Sequence, residues 1–85
     1  MKMKTFERVL RQENYAENTI VAYLYAVRDF YSHYSHLDKS SLLAYKALLM
    51  ESYKPGTVNL RIRAMNKYLE TIDRSELQIK SVKVQ

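Results

Sequence analysis

The chain has 85 residues, 47% hydrophobic and 27% charged, with no cysteine. That composition describes one small globular domain whose core must come from packed apolar faces, with no disulfide or thiolate–metal staple. The net charge of +5 favours an anionic partner over an acidic-surface role. No apolar h-region follows the basic N-terminus and no stretch approaches a membrane-spanning length, so a cytoplasmic protein without a membrane segment is expected.

Glycine and proline occur once each and are adjacent, Pro55-Gly56. With so few breakers, apolar spacing predicts an all-α chain of four helices. The first spans about Thr5–Glu13, with Met3, Phe6, Val9 and Leu10 on one face. The second spans about Glu17–Tyr34; Ile20, Tyr23, Leu24, Val27, Phe30, Tyr31 and Tyr34 form its core stripe, and Val21, Ala22, Tyr25, Arg28 and Asp29 point away from it. Ser40 is the expected N-cap of a third helix over Ser41–Ser52, whose inward face is Leu42, Tyr45, Leu48 and Leu49.

Pro55 suits the first position of the fourth helix, because its missing N–H costs nothing there. That helix is expected to reach about Glu70, with Val58, Ile62, Met65 and Leu69 as its stripe. Its other surface would show Leu60, Arg61, Ala64 and Lys67 on one flank and Asn59, Arg63 and Asn66 on the other. Residues 54–70 carry Lys54, Arg61, Arg63 and Lys67 against Glu70 alone, so most of the positive excess sits here. After Thr71, Leu77 and Ile79 alternate, then Val82 and Val84 in the shifted phase. This predicts an extended tail over 72–85, a linker toward a further domain, following a helical domain over 1–71.

Two stretches carry a resemblance. Tyr15-Ala16-Glu17-Asn18-Thr19-Ile20-Val21-Ala22-Tyr23, followed by Val27 and Phe30, resembles the second-helix signature of the core-binding domain of phage-integrase-type tyrosine recombinases. Pro55 to Leu69, with Thr57-Val58-Asn59 leading into Arg61 and closing on Tyr68-Leu69, is similar to that family's fourth helix. The likeness covers roughly residues 4–70. Ala16 and Lys54 stand where the family often has serine, so both helices are expected to lack a side-chain N-cap. Tyr25-Ala26 replaces its usual Arg-Asp pair.

The resemblance implies a compact four-helix, SAM-like fold that grips duplex DNA. The half-site would be clamped while the catalytic domain of the same parent chain, which no segment here resembles, performs strand cleavage. The isolated domain would be a monomer and its parent an oligomer on DNA. Arg61 and Lys67 are the leading contacts, with Lys54, Gly56, Thr57 and Leu60 around the start of the fourth helix, where free N–H groups and the dipole suit a phosphate. Thr19, Ala22, Tyr25 and Arg28 would face the groove from the second helix. About four neutralised phosphates would give a salt slope near −3.6.

None of the eight tyrosines is expected to be a nucleophile, since no set of charged donors converges for one. His33 and His36 lack the further ligands a metal needs. Neither a catalytic residue nor a cofactor is therefore assigned. The competing reading is a helical protein–protein interaction module that uses Val21, Ala22, Tyr25 and Leu60 as an apolar patch.

Overall fold

The computed structural model describes residues 2–83, so the alternation at Val84 lies outside the described residues. Four helices follow in order: α1 (Met3–Gln12), α2 (Glu17–His33), α3 (Lys39–Ser52) and α4 (Pro55–Thr71). A 3-10 turn at Ser75–Leu77 comes next, and no strand occurs among the described residues. α4 packs chiefly on α2 and also meets α1, α3 and the 3-10 turn, which makes it the central rod.

The core is built from the stripes set by helical period. Phe6 and Leu10 of α1, Ile20, Val27 and Phe30 of α2, Leu42, Tyr45 and Leu49 of α3, and Val58, Ile62, Met65 and Leu69 of α4 are all buried. Aromatic rings fill much of it. Phe30 sits within 5.3–5.4 Å, centroid to centroid, of Tyr31, Tyr34 and Tyr45. Phe6 meets Tyr68 edge-on at 5.3 Å. The tyrosine hydroxyls find partners at the rim, as when Tyr31 and Tyr68 bond each other at 3.3 Å.

Helix ends depart from the expected caps in one place. α3 starts two residues early, because Asp38, not Ser40, is its N-cap. The Asp38 carboxylate accepts from the Ser41 N–H at 2.8 Å, and the Ser41 hydroxyl accepts from the Asp38 N–H, a reciprocal capping box. This holds the Asp38 carboxyl below its usual range, through the bond from the Ser41 N–H first. Ala16 and Lys54, the N-caps of α2 and α4, make no side-chain cap bond.

α1 and α4 both end in a Schellman motif. Tyr15 N–H donates to Leu10 and Asn14 N–H to Arg11; Arg74 N–H donates to Leu69 and Asp73 N–H to Glu70. The turning residues Asn14 and Asp73 both stand at φ 61°, a left-handed conformation that costs a side-chain-bearing residue energy. Asp73→Gly is expected to raise stability by about 0.5–1 kcal/mol by relieving it. A urea midpoint that moves down instead would contradict this.

The segment after α4 does not trail away. Leu77 is 8% and Ile79 5% exposed, and Val82 packs half-buried against the same core. The radius of gyration, 12.2 Å, matches the ~12 Å of a folded chain this long, leaving no room for a free tail. The domain therefore runs at least to Val82, and the expected boundary at residue 71 is moved outward. The reason lies in Asn59 and Asn66, which read as solvent-facing polar residues in the sequence but pair with the tail backbone. Ala64, expected on the open flank of α4, is fully buried.

Candidate nucleic-acid interface

α2 and α4 bring Tyr25 and Arg61 together, and the end of α3 adds Tyr53. The Arg61 guanidinium carbon lies 4.9 Å from the Tyr25 ring centroid and 4.8 Å from that of Tyr53. Arg61 Nη1 donates to Asp29 Oδ2 at 2.9 Å. The same carboxylate oxygen accepts the Tyr45 hydroxyl at 2.8 Å. Burial, then the hydrogen bond to Asp29, pushes the Tyr45 phenol well above its ordinary value, so it stays a neutral donor. His33 Nε2 stands 3.6 Å from the other Asp29 oxygen.

Arg61 is therefore not a solvated cation. Its side chain is only 13% exposed, held flat by two rings and by one carboxylate. Among the described residues no buried side-chain nitrogen or oxygen lacks a partner. The Arg61 nitrogens that make no bond thus reach solvent. The result is a largely buried, fixed guanidinium whose unbonded nitrogens are not sealed from solvent, between exposed rings (Tyr25 54%, Tyr53 44%).

Lys67 lies elsewhere. Six residues along α4 is about 9 Å of rise and about a third of a turn away from Arg61's direction. Lys67 Nζ donates to Glu13 at 2.7 Å and Glu70 at 3.3 Å, beside the Tyr15 ring, and its side chain is 12% exposed. Lys67 and Arg61, the two leading contact candidates, thus lie on different parts of α4 and are both ion-paired. Each has an acidic partner distant in sequence. Lys67 bridges α4 to the α1–α2 turn, and Arg61 bridges α4 to α2.

The remaining predicted residues divide by exposure. Arg28 and Lys54 are exposed and take no acidic partner among the described residues. Arg28 is one turn beyond Tyr25 on α2, and Lys54 follows Tyr53 and caps α4. Gly56, at the start of α4, is exposed with nothing within 4 Å of where a Cβ would stand, so the backbone there is open to close approach. Thr57, Leu60, Thr19 and Ala22 are half-buried. Leu60 packs against the core and adds little open surface.

Sequence reasoning missed Asp29 and Tyr53 as members of this cluster. The spacing of Tyr25 and Asp29, one helical turn apart on the outward side of α2, is the signal that a cation was to be received there. Tyr53 carries no such signal.

The surface that results has a fixed guanidinium edge, two flanking aromatic rings, two unpaired cations and an open helix start. Such a set donates hydrogen bonds to anions and offers rings for stacking or apolar contact. No helix among the described residues is long and apolar enough to cross a membrane. Compared with known proteins, the chain matches no family model, no curated protein and no solved structure.

Proposed function

We propose that this chain is a duplex-DNA-gripping, core-binding domain of a phage-integrase-type tyrosine recombinase, non-catalytic by itself and working beside a catalytic domain of the same parent chain. The observation that carries this reading is Arg61, fixed by Asp29, Tyr25 and Tyr53, with donors left over at a surface that unpaired Arg28 and Lys54 share. A guanidinium with its rotamer already set loses little entropy when it bonds a phosphate or a base acceptor. The reading is supported by the four-helix fold and rests on the resemblance carried by the α2 and α4 motifs. Phosphate contacts from Arg28, Lys54 and the α4 N-terminus would position the domain, while Tyr25 and Arg61 reach base edges.

The test uses charge reversal at residues whose fold role is slight. Arg28→Glu and Lys54→Glu are each expected to weaken binding of the chain to a short duplex about tenfold or more at low salt, with urea stability changed by under about 0.5 kcal/mol. Unchanged fluorescence-anisotropy titrations for both variants would remove the reading.

A second reading has its own observation. Val21 and Tyr25, one turn apart on α2, are 59% and 54% exposed, and Met50 is 52% exposed near Tyr53. A protein partner docked there would be lost on Val21→Lys and indifferent to Lys54→Glu. DNA binding should respond in the opposite manner.

A further inference from the structure

The groove between α3 and α4 holds the chain's own tail by its main chain. Asn66 donates to Ile79 O at 2.8 Å and accepts from Ile79 N–H at 3.0 Å. Asn59 does the same to Val82, at 2.9 and 2.7 Å. Each amide acts as a neighbouring strand would, satisfying both backbone groups of one residue. From the other wall, Lys39 and Lys46 of α3 donate to the carbonyls of Gln78 and Lys80 at 2.6 and 2.7 Å.

The spacing matches a strand lying along a helix. Asn59 and Asn66 are seven residues apart, about 10.5 Å of helical rise. Ile79 and Val82 are three apart, about 10 Å of extended chain. The tail runs antiparallel to α4 and fits both clamps without slack. Gln78, Lys80, Ser81 and Lys83 are exposed, while Leu77, Ile79 and Val82 turn inward. What is recognised is an extended backbone from Gln78 onward, with Ile79 and Val82 turned inward behind Leu77 of the 3-10 turn.

We propose that the α3–α4 groove is a binding site for an extended peptide strand, read chiefly through its main chain, and that the tail of a second copy can replace the resident one. The strand that demonstrably fits is carried by every copy. Its release is local, because the tail leaves α4 at Asp73, a residue held at φ 61°, and opening there relieves that conformation. Clamp bonds to backbone are identical whichever copy supplies the strand, the condition for exchange of a segment between protomers. The tether holds the resident tail at an effective concentration of the order of millimolar. Exchange therefore becomes appreciable when chains are at millimolar concentration or are held side by side.

The chain has no cysteine, so Lys83→Cys offers a unique attachment point for a nitroxide. Spin-labelled chain is mixed with 15N-labelled full-length chain, without DNA, at about 1 mM each. The expected result is line broadening of the Met50, Tyr53, Val58 and Asn59 amides, which line the place where Val82 lies. An Asn59→Ala/Asn66→Ala acceptor chain, checked for a dispersed spectrum, should lose it; excess unlabelled peptide of residues 75–83 should suppress it on the wild-type acceptor. Two outcomes overturn the proposal. One is no intermolecular broadening while the same amides broaden within the spin-labelled chain. The other is broadening indifferent to both the asparagine substitutions and the peptide. Since no nucleic acid is present, neither outcome bears on DNA binding.

Discussion

Phe30→Ala is expected to remove most of the domain's stability at 25 °C. The ring is fully buried and packs against Tyr31, Tyr34 and Tyr45 at 5.3–5.4 Å, joining α2 to α3. Removing a buried ring of this kind costs about 3–5 kcal/mol, from lost transfer energy and the cavity left behind. A domain of this length has about 5 kcal/mol in total, at the low end of the folded range. The single substitution thus consumes most of the margin. Phe30→Leu, which keeps most of the volume, should cost under about 2 kcal/mol and retain a cooperative urea transition. Far-UV circular dichroism distinguishes the two. A Phe30→Ala chain that unfolds within 1 kcal/mol of the parent would mean that α3 does not depend on this ring cluster.

Asp29→Ala has the next largest expected effect. One carboxylate oxygen serves both the Arg61 guanidinium and the Tyr45 hydroxyl. Its loss strands a charge that is 13% exposed and a buried phenol donor, whose remaining acceptor is Ala26 O at 3.4 Å. Breaking a fully buried pair by deleting one partner costs about 3–5 kcal/mol. Here Asp29 is partly exposed, so about 2–3 kcal/mol is expected. Asp29→Asn keeps an acceptor in place and should cost about 1 kcal/mol. It also deletes a negative charge beside the candidate interface, so it should tighten duplex binding several-fold at low salt while lowering stability. A variant that loses stability and affinity together would argue that Asp29 only positions Arg61, with no electrostatic cost to the interface.

How much of this was legible in the sequence follows from where each partner lies. The four helices were, because their stripes repeat within one element; α2 and α4 begin where expected, at Glu17 and Pro55. The Asp38 cap was harder, since Ser40 and Ser41 offer equally good capping chemistry and only the Asp38–Ser41 geometry decides between them. The ion pairs of Arg61 and Lys67 were not legible because Asp29 and Glu13 stand 32 and 54 residues away, and helical periodicity carries no information about which distant carboxylate a cation meets. The tail shows the same limit. Alternation of Leu77 and Ile79 marked only an extended segment, because the groove that receives it is made by Asn59 and Asn66, ordinary surface residues until the backbone of residues 79 and 82 is laid against them.

For the interface itself, burying Lys67 in an ion pair lowers the count of available cations. Arg61, paired with Asp29 and 13% exposed, is neutralised in the same way, so Arg28 and Lys54 remain, about two phosphates' worth. The most direct measurement is the affinity of the whole chain for a short duplex as a function of salt. The expected result is a linear log–log dependence with slope near −1.8 for about two neutralised phosphates, flattened by about one in Arg28→Glu and again in Lys54→Glu, and unaffected by Lys67→Gln in a chain that stays folded. A slope near zero, or one that falls with Lys67→Gln but ignores Arg28 and Lys54, would contradict a DNA-gripping face built on α2 and α4.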